Sequence, residues 1–200
     1  MPIEIEALHH PHVPEEKGEL FHSYDSQSTE EEYLYLLYAI TYCLKPRQVL
    51  ETGSYQGYGS SYIGAALRRN GSGHLTSLEH NDVYFKWAEE QVESNGLEDW
   101  VSLVKCESLE FLGGSGRKFD LAFFDSTLPL RTKEFSICLE RGLLDCGSMA
   151  AFHDTSRLRT DTPGHPDPQT PLFWEEFLAI ADIRFIEFPF SRGMILAQVL

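Results

Sequence analysis

Basic residues are in short supply in this chain of 200 residues. Its 16 Lys and Arg stand against 31 Asp and Glu, a formal net charge of -15. A deficit of that size argues against a nucleic-acid or anionic-membrane partner, since both require a basic footprint. Long apolar runs are missing too, and none approaches the roughly 20 residues of a membrane-spanning helix. The N-terminus has neither a basic flank nor an apolar segment, so no secretory signal is expected. Cysteine is sparse: Cys43, Cys106, Cys138 and Cys146 form no C-x-x-C pair. They lie in or beside apolar runs and read as buried free thiols, which fits a reducing cytoplasm. There is no internal repeat and no G-x-G-x-x-G dinucleotide fingerprint.

What is present concentrates in residues 48–60, Gln-Val-Leu-Glu-Thr-Gly-Ser-Tyr-Gln-Gly-Tyr-Gly-Ser. An apolar strand through Val49 and Leu50 meets an acidic residue, Glu51. A turn follows at Gly53, with Gly57 and Gly59 where a helix opens. Glycine lets a ligand approach the backbone closely, and a helix N-terminus after a strand offers free N–H groups. The carboxylate two residues before the first glycine would repel a pyrophosphate and could pair with an ammonium group. The bland alternative is a tight turn with a carboxylate near a helix start and no ligand.

The length suits one domain. Strands are predicted at 48–52, 74–79, 101–105, 119–124 and 148–152, with helices at 58–69, 82–95 and 130–144 and a short one at 107–112. Alternating strands and helices imply a parallel sheet covered on both faces. A helix over 172–181 then precedes two adjacent strands, 183–188 and 194–200. The short link Ser191-Arg192-Gly193 forces that pair to be antiparallel. Before the sheet, a helix over 29–44 is apolar nearly all round (Tyr33, Leu34, Leu36, Leu37, Ile40, Leu44). It should be buried on more than one side, against the sheet or against a second copy in a homodimer. Ser28 and Glu31 could form its capping box, and Pro46 closes it. Residues 1–28, polar and rich in His, Pro and Glu, read as an arm or lid ahead of a domain spanning 29–200.

The segment around Gly53, the five alternating strands and the closing hairpin together resemble the class I S-adenosylmethionine (SAM)-dependent methyltransferases, whose first motif is E/D-x-G-x-x-x-G. The resemblance runs from about residue 29 to the end. It implies an α/β, Rossmann-like, seven-stranded, mostly parallel sheet with helices on both faces and a C-terminal antiparallel hairpin. It further implies that Glu51, Gly53, Ser54 and Gly57 hold the methionine end of SAM. Glu79, at the end of the second strand, offers two acceptor oxygens to the ribose hydroxyls. Glu107 and Ser108 match the adenine-reading position only loosely, and Ser108 could equally be a helix N-cap.

In this topology the fourth and fifth strands are neighbours, so Asp125 should face His153 and Asp154 above the sheet. Two chemistries are open to such a set. One is a divalent-cation site that holds a substrate hydroxyl and lowers its pKa. The other is metal-free general-base catalysis, with His153 taking the proton. The set resembles that of the metal-assisted small-molecule O-methyltransferases, with Asp125 also touching the cofactor. Two departures stand out. Relatives often place a Lys or His where this chain has Leu128, and the later pair begins with His153 instead of a carboxylate. With an imidazole ligand, iron or manganese joins magnesium as a candidate. The nearest basic side chains, Arg131 and Lys133, lie on the following helix.

The resemblance implies methyl transfer from SAM to a small-molecule acceptor, with a hydroxyl oxygen as the expected target. Two rivals stay open. One is a methyltransferase-like SAM-binding module without transfer activity, which the absent base at Leu128 allows. The other is an NAD-dependent oxidoreductase, which the missing fingerprint and Glu51 disfavour. The proline-rich stretch 155–171 reads as a substrate lid or a surface insertion. Tyr24, Tyr55, Tyr58, Phe173 and Trp174 could line an acceptor pocket or simply pack. His9, His10 and His12 invite a metal reading that their terminal, proline-flanked position weakens.

Overall fold

A computed structural model describes residues 16–17, 21–25, 27–158, 160–162, 165–166 and 169–200. His9, His10 and His12 lie outside the described residues, as do Arg159, Pro163, Gly164, Asp167 and Pro168 of the expected lid.

Seven strands form one sheet: β1 (Gln48–Thr52), β2 (His74–Glu79), β3 (Val101–Lys105), β4 (Phe119–Phe124), β5 (Leu144–His153), β6 (Ile183–Phe188) and β7 (Met194–Val199). Their spatial order is β6-β7-β5-β4-β1-β2-β3. The first five pair in parallel, and β7 runs antiparallel between β5 and β6. Strand order reverses between β1 and β4, and ligands of open α/β sheets bind at such a reversal, beyond the carboxyl ends of the strands. Register sets what meets there. Thr52 pairs with Phe124, and Phe124 with Phe152. The next residue along each strand is Gly53, Asp125 or His153, and these three stand side by side.

Helices α1 (Glu31–Leu44), α2 (Tyr58–Asn70) and α3 (Asp82–Ser94) cover one face; α4 (Ser108–Gly114), α5 (Leu128–Glu140) and α6 (Thr170–Leu178) cover the other. Strand alternation explains the two cores. Leu121 and Phe123 of β4 join Leu34, Leu37, Ile63 and Leu67 on the first face. Ala122 and Phe124 join Phe135, Phe152, Phe173 and Phe177 on the second. Each buried phenyl contributes about 2–3 kcal/mol of transfer free energy, so β4 is anchored from both sides and its end, Asp125, is held firmly.

Several local expectations need correction. Strand β5 starts at Leu144, earlier than 148, because its pairing with β4 continues past a register shift near Phe119. The capping box does not form. Glu30 is the N-cap of α1 and makes no side-chain cap, while Ser28 Oγ accepts the N–H groups of Tyr24 (3.1 Å) and Asp25 (3.0 Å) in the preceding turn. Helix α1 buries Tyr33, Leu34, Leu37, Tyr38 and Thr41, whereas Tyr35 and Leu44 are exposed. Of the four thiols only Cys138 is buried. Cys43 and Cys146 are exposed, because adjacent apolar residues in sequence do not decide which face of an element a side chain takes.

Candidate active site

A cavity of about 600 Å³ opens at the carboxyl ends of β1, β2 and β4. Its wall includes Glu51, Gly53, Ser54, Glu79, Glu107, Ser108, Asp125 and Asp154, which are predicted site residues from the ends of all five parallel strands. Two predicted residues, Gly57 and His153, do not line it. A Cβ on Gly57 would stand 3.0 Å from Ala88 Cα, so this glycine serves the close packing of α2 on α3 and not the cavity wall.

The turn after β1 is pinned to its neighbours. Gly53 and Ser54 donate their N–H groups to Leu78 O (2.9 and 3.0 Å), and Asp125 N donates to Thr52 O (2.9 Å). Gly53 adopts φ +84°, and a Cβ there would lie 2.6 Å from Asp125 O. Only glycine meets both demands. Glu51 is 1% exposed. Its Oε2 accepts the hydroxyls of Ser60 and Ser77, the latter at 2.5 Å, and the missing side chain of Gly59 leaves room for Oε1. Burial pushes this carboxyl up to about 7, with Asp125 and Glu79 adding to the effect and the two serine hydroxyls opposing it. Glu79 accepts one backbone N–H on each oxygen, Tyr55 N at 2.9 Å and Asn81 N at 2.8 Å. Each oxygen keeps a further acceptor site for a ligand hydroxyl.

Beside this wall lies a charged cluster. His153, 0% exposed, sits below the cavity wall. Its Nδ1 is 3.1 Å from Asp125 Oδ1 and its Nε2 is 2.6 Å from Glu30 Oε2. Ionised carboxylates only accept, so both ring nitrogens donate and the imidazole is charged. Burial pulls the His153 pKa down, but Asp154, Asp125 and Glu30 outweigh it and hold the value near 9. Glu30 is the reciprocal case. Burial raises it, yet His153, Ser191 and the Arg192 N–H bring it down to about 2. Arg131, 2% exposed, donates Nη1 to the His153 carbonyl and Nη2 to Asp125 Oδ1 (2.9 Å) and Asp154 Oδ2 (3.2 Å). Arg192 closes the set from the β6–β7 turn, donating Nη2 to Asp154 Oδ2 (3.1 Å) and Nη1 to Ser28 O (2.7 Å).

Sequence reasoning missed four residues here. Glu30 is hidden in a run of acids, Glu30-Glu31-Glu32, and Arg192 in a hairpin turn. Thr29 donates to Asp125 Oδ2 (2.7 Å) from the segment ahead of α1. Glu134 of α5 accepts three hydroxyls, from Thr52 (2.8 Å), Ser126 (2.8 Å) and Ser108, and so ties three strand ends together from beneath. Ser108 is therefore not an N-cap; Glu107 holds that position and Ser108 begins the helix. Phe173 and Trp174 belong to the second core, not to an acceptor pocket. Tyr55 and Tyr58 do line the cavity, with Tyr24 stacked on Tyr58 at 4.4 Å between ring centroids. Asp25 fastens this segment, accepting from Tyr55 Oη (3.0 Å) and Gln56 Nε2 (2.7 Å).

Comparison with known families matches residues 50–155 to a family described as a methyltransferase domain. Among the solved structures that share the fold are three methyltransferases. The methyltransferase PaMTH1 of Podospora anserina, bound to S-adenosylhomocysteine (SAH), gives a TM-score of 0.76 at 17% identity, over 87% of this chain and 80% of that one. The O-methyltransferase TomG of Streptomyces achromogenes, involved in tomaymycin synthesis and solved with SAM, gives 0.70 at 22% identity, over 86% and 82%. An O-methyltransferase of Bacillus cereus, solved with SAH, gives 0.71 at 19% identity, over 88% and 84%. No curated protein matches the sequence.

Proposed function

The chain belongs to the methyltransferase-domain family, and from that premise we propose that it transfers a methyl group from SAM to a hydroxyl oxygen of a small-molecule acceptor. One observation carries the reading: Glu51, Glu79 and Asp125, each at the end of a different parallel strand, open on one cavity. Its volume lies within the 300–1,000 Å³ common for small-ligand pockets. Support also comes from the solved relatives, two of which are O-methyltransferases and three of which hold SAM or SAH.

SAM, when bound, supplies a methyl group on a sulfonium, activated for displacement by oxygen. The chain's own residues hold, orient and shield. Glu51 faces the ammonium end and Glu79 the ribose hydroxyls. Ser108, oriented by Glu134, takes the adenine side with Glu107. Asp125 accepts the hydrogen bond of the acceptor hydroxyl and receives its proton as the new C–O bond forms. A weak base suffices, because an alkylated oxygen is strongly acidic. His153 cannot reach the acceptor from beneath the wall; it is a positioning residue that fixes Asp125 from behind, and Thr29 fixes it from the front. Tyr55, Tyr58 and residues 27–29 keep water from the reacting atoms. We place the reaction in a reducing compartment, the cytoplasm, on the strength of the free exposed thiols Cys43 and Cys146. Among the described residues no helix is long and apolar enough to cross a membrane.

Calorimetric titration of SAM into the full chain tests the assignment. Micromolar binding is expected, with no heat from NAD. Glu79→Ala should weaken SAM by about a hundredfold, since two charge-assisted hydrogen bonds are lost. A screen of hydroxylated acceptors for SAH release then follows. SAM binding without any turnover across the screen would favour a binding module, and no SAM binding would sink the assignment.

The raised pKa of Glu51 adds a pH signature. An ammonium ligand pairs with the ionised carboxylate only, so SAM affinity is expected to rise with pH up to about 7 and then level. The slope below that point approaches about tenfold per pH unit. Titrations at about pH 6 and about pH 8 measure it, and Glu51→Gln should flatten the profile. A profile equally steep in the variant would remove Glu51 from this role.

A further inference from the structure

We propose that Arg131 and Arg192 stand where a divalent ion would sit, so that this site works without a metal. The reaction part of the proposal rests on the assignment above; the ion part stands on the geometry alone.

The donor set looks right for a cation at first sight. Asp125, His153 and Asp154 offer ligand atoms that all lie within 4.8 Å of one another; the carboxylates suit magnesium or manganese, and the added imidazole shifts the set toward manganese or iron. Each of those atoms already faces a protein partner, and Asp125 Oδ2, with Thr29 alone, keeps one acceptor site for a substrate hydroxyl. Asp125 Oδ1 accepts from Arg131 Nη2 at 2.9 Å, and Oδ2 accepts from Thr29 at 2.7 Å. Asp154 Oδ2 accepts from both arginines, at 3.2 and 3.1 Å. Asp154 Oδ1 faces Arg192 Nε at 2.6 Å, an ion-pair contact. His153 turns both ring nitrogens to carboxylates, and a nitrogen that donates has no lone pair left for a metal.

Charge leads to the same conclusion. Two carboxylates, Asp125 and Asp154, meet two guanidiniums, and the group is neutral as it stands. A divalent ion would bring two uncompensated charges next to Arg131, whose side chain is 3% exposed. Like charges repel strongly where water cannot screen them. Arg131 has no easy way out. It sits in the first turn of α5, and its Nη1 is bound to the His153 carbonyl. Swinging away would leave a buried guanidinium unpaired. Arg192 is tied in turn to Ser28 O. Asp154 holds a left-handed backbone, φ +61°, which keeps its carboxylate between the two arginines. Such strain persists only where the surroundings impose it.

The consequence for substrate class is direct. A metal-held acceptor gains from a chelating pair of oxygens, whereas this site has no ion to chelate. It takes an acceptor that presents one hydroxyl to Asp125.

Manganese is the probe. Electron paramagnetic resonance would follow Mn²⁺ added to the full chain and to Asp154→Asn, with and without SAM. The expected result is the same Mn²⁺ uptake by both proteins, with any bound ion on the acidic surface. One Mn²⁺ per chain that Asp154→Asn loses would overturn the proposal. A second measurement needs no variant: the ring N–H resonances of His153, held between two carboxylates, should persist in millimolar Mn²⁺. Their selective loss to paramagnetic broadening would overturn the proposal as well. SAM calorimetry on the same samples keeps the two ideas apart, because absent SAM binding counts against methyl transfer and leaves the Mn²⁺ result standing.

Discussion

Glu30→Ala is expected to lower stability by about 3–5 kcal/mol, the usual loss when one partner of a buried ion pair is removed. The residue carries an unusual load for a helix N-cap. Its Oε2 meets His153 Nε2 at 2.6 Å, and its Oε1 accepts from Ser191 Oγ (2.5 Å) and Arg192 N (2.9 Å). Alanine would leave Nε2 of a charged, buried imidazole without its partner, with only the Nδ1 side still paired, to Asp125. It would also remove the Ser191 Oγ and Arg192 N–H contacts of the β6–β7 turn to the start of α1, leaving Tyr33 Oη on Phe188 O (3.1 Å) and Phe190 O (2.6 Å) to hold that turn. Urea unfolding monitored by circular dichroism measures the loss, and a drop in Tm on the order of 10 °C should accompany it. A loss below about 1 kcal/mol would mean that water or another acid replaces Glu30.

The pH dependence of this pair has a definite sign. His153 titrates higher in the folded protein than in the unfolded chain, near 9 against 6.5. Its contribution is complete below 6.5 and is lost as pH rises through about 9. Glu30 titrates lower when folded, near 2 against 4.5. Its contribution is complete above 4.5 and is lost as pH falls through about 2. The pair therefore contributes fully between 4.5 and 6.5. Glu51 tilts the curve in the same alkaline-losing direction, because its folded value near 7 exceeds 4.5 and ionising it in place costs stability across that interval. Stability should thus fall steadily from weakly acidic to alkaline pH. Glu30→Ala should remove the acid limb between 4.5 and 2 and shorten the limb between 6.5 and 9, which Asp154 and Asp125 still sustain, and Glu51→Gln should remove the limb between 4.5 and 7.

Gly53→Ala is the second large effect: SAM binding should be lost, with a drop in stability of several kcal/mol. Two costs combine. An L-residue at φ +84° is strained by about 1–2 kcal/mol. The added Cβ would also meet Asp125 O at 2.6 Å, and Asp125 C and Ser126 N at 2.8 Å. Those are backbone atoms of the neighbouring strand end, so β1 and β4 would have to part where the cavity floor joins them. Gly71→Ala supplies the control. That glycine has φ +66° with nothing within 4 Å of a new Cβ, so it should cost only the strain of about 1–2 kcal/mol and leave SAM binding unchanged. Calorimetry and thermal melts on the two variants separate backbone strain from the collision. Equal effects in both would show that the approach of the two strand ends is unimportant.

Much of this architecture is legible along the chain, and for local reasons. A buried parallel strand needs a continuous apolar run, as in Val49-Leu50 or Leu121-Ala122-Phe123-Phe124, and such runs are visible without knowing their neighbours. The turn at Gly53 announces itself, because few residues other than glycine satisfy positive φ and close approach. Strand ends then point to Glu51, Glu79, Asp125 and Asp154, which follow the apolar runs directly.

Side-chain partners are another matter, since they depend on which distant segments fold back on one another. Ser28 and Glu31 have capping-box spacing, yet the turn beside Tyr24 claims the serine. Phe173 and Trp174 look like pocket aromatics, yet α6 turns them inward onto Phe152 and Phe177. Gly57 belongs to the motif but serves α3. The charged cluster is the fullest case, with Glu30, Asp125, Arg131, His153 and Arg192 spread over 162 positions of chain. Read as sequence, Asp125, His153 and Asp154 form a set open to a divalent cation or to metal-free base catalysis. Residue order alone thus determined the sheet, its ligand-binding edge and the carboxylates that line the cavity there, because each is written in contiguous residues. Tertiary structure alone decided what neutralises those acids. A buried carboxylate must find its counter-charge in space, and here α5 and the β6–β7 turn bring the two arginines that supply it.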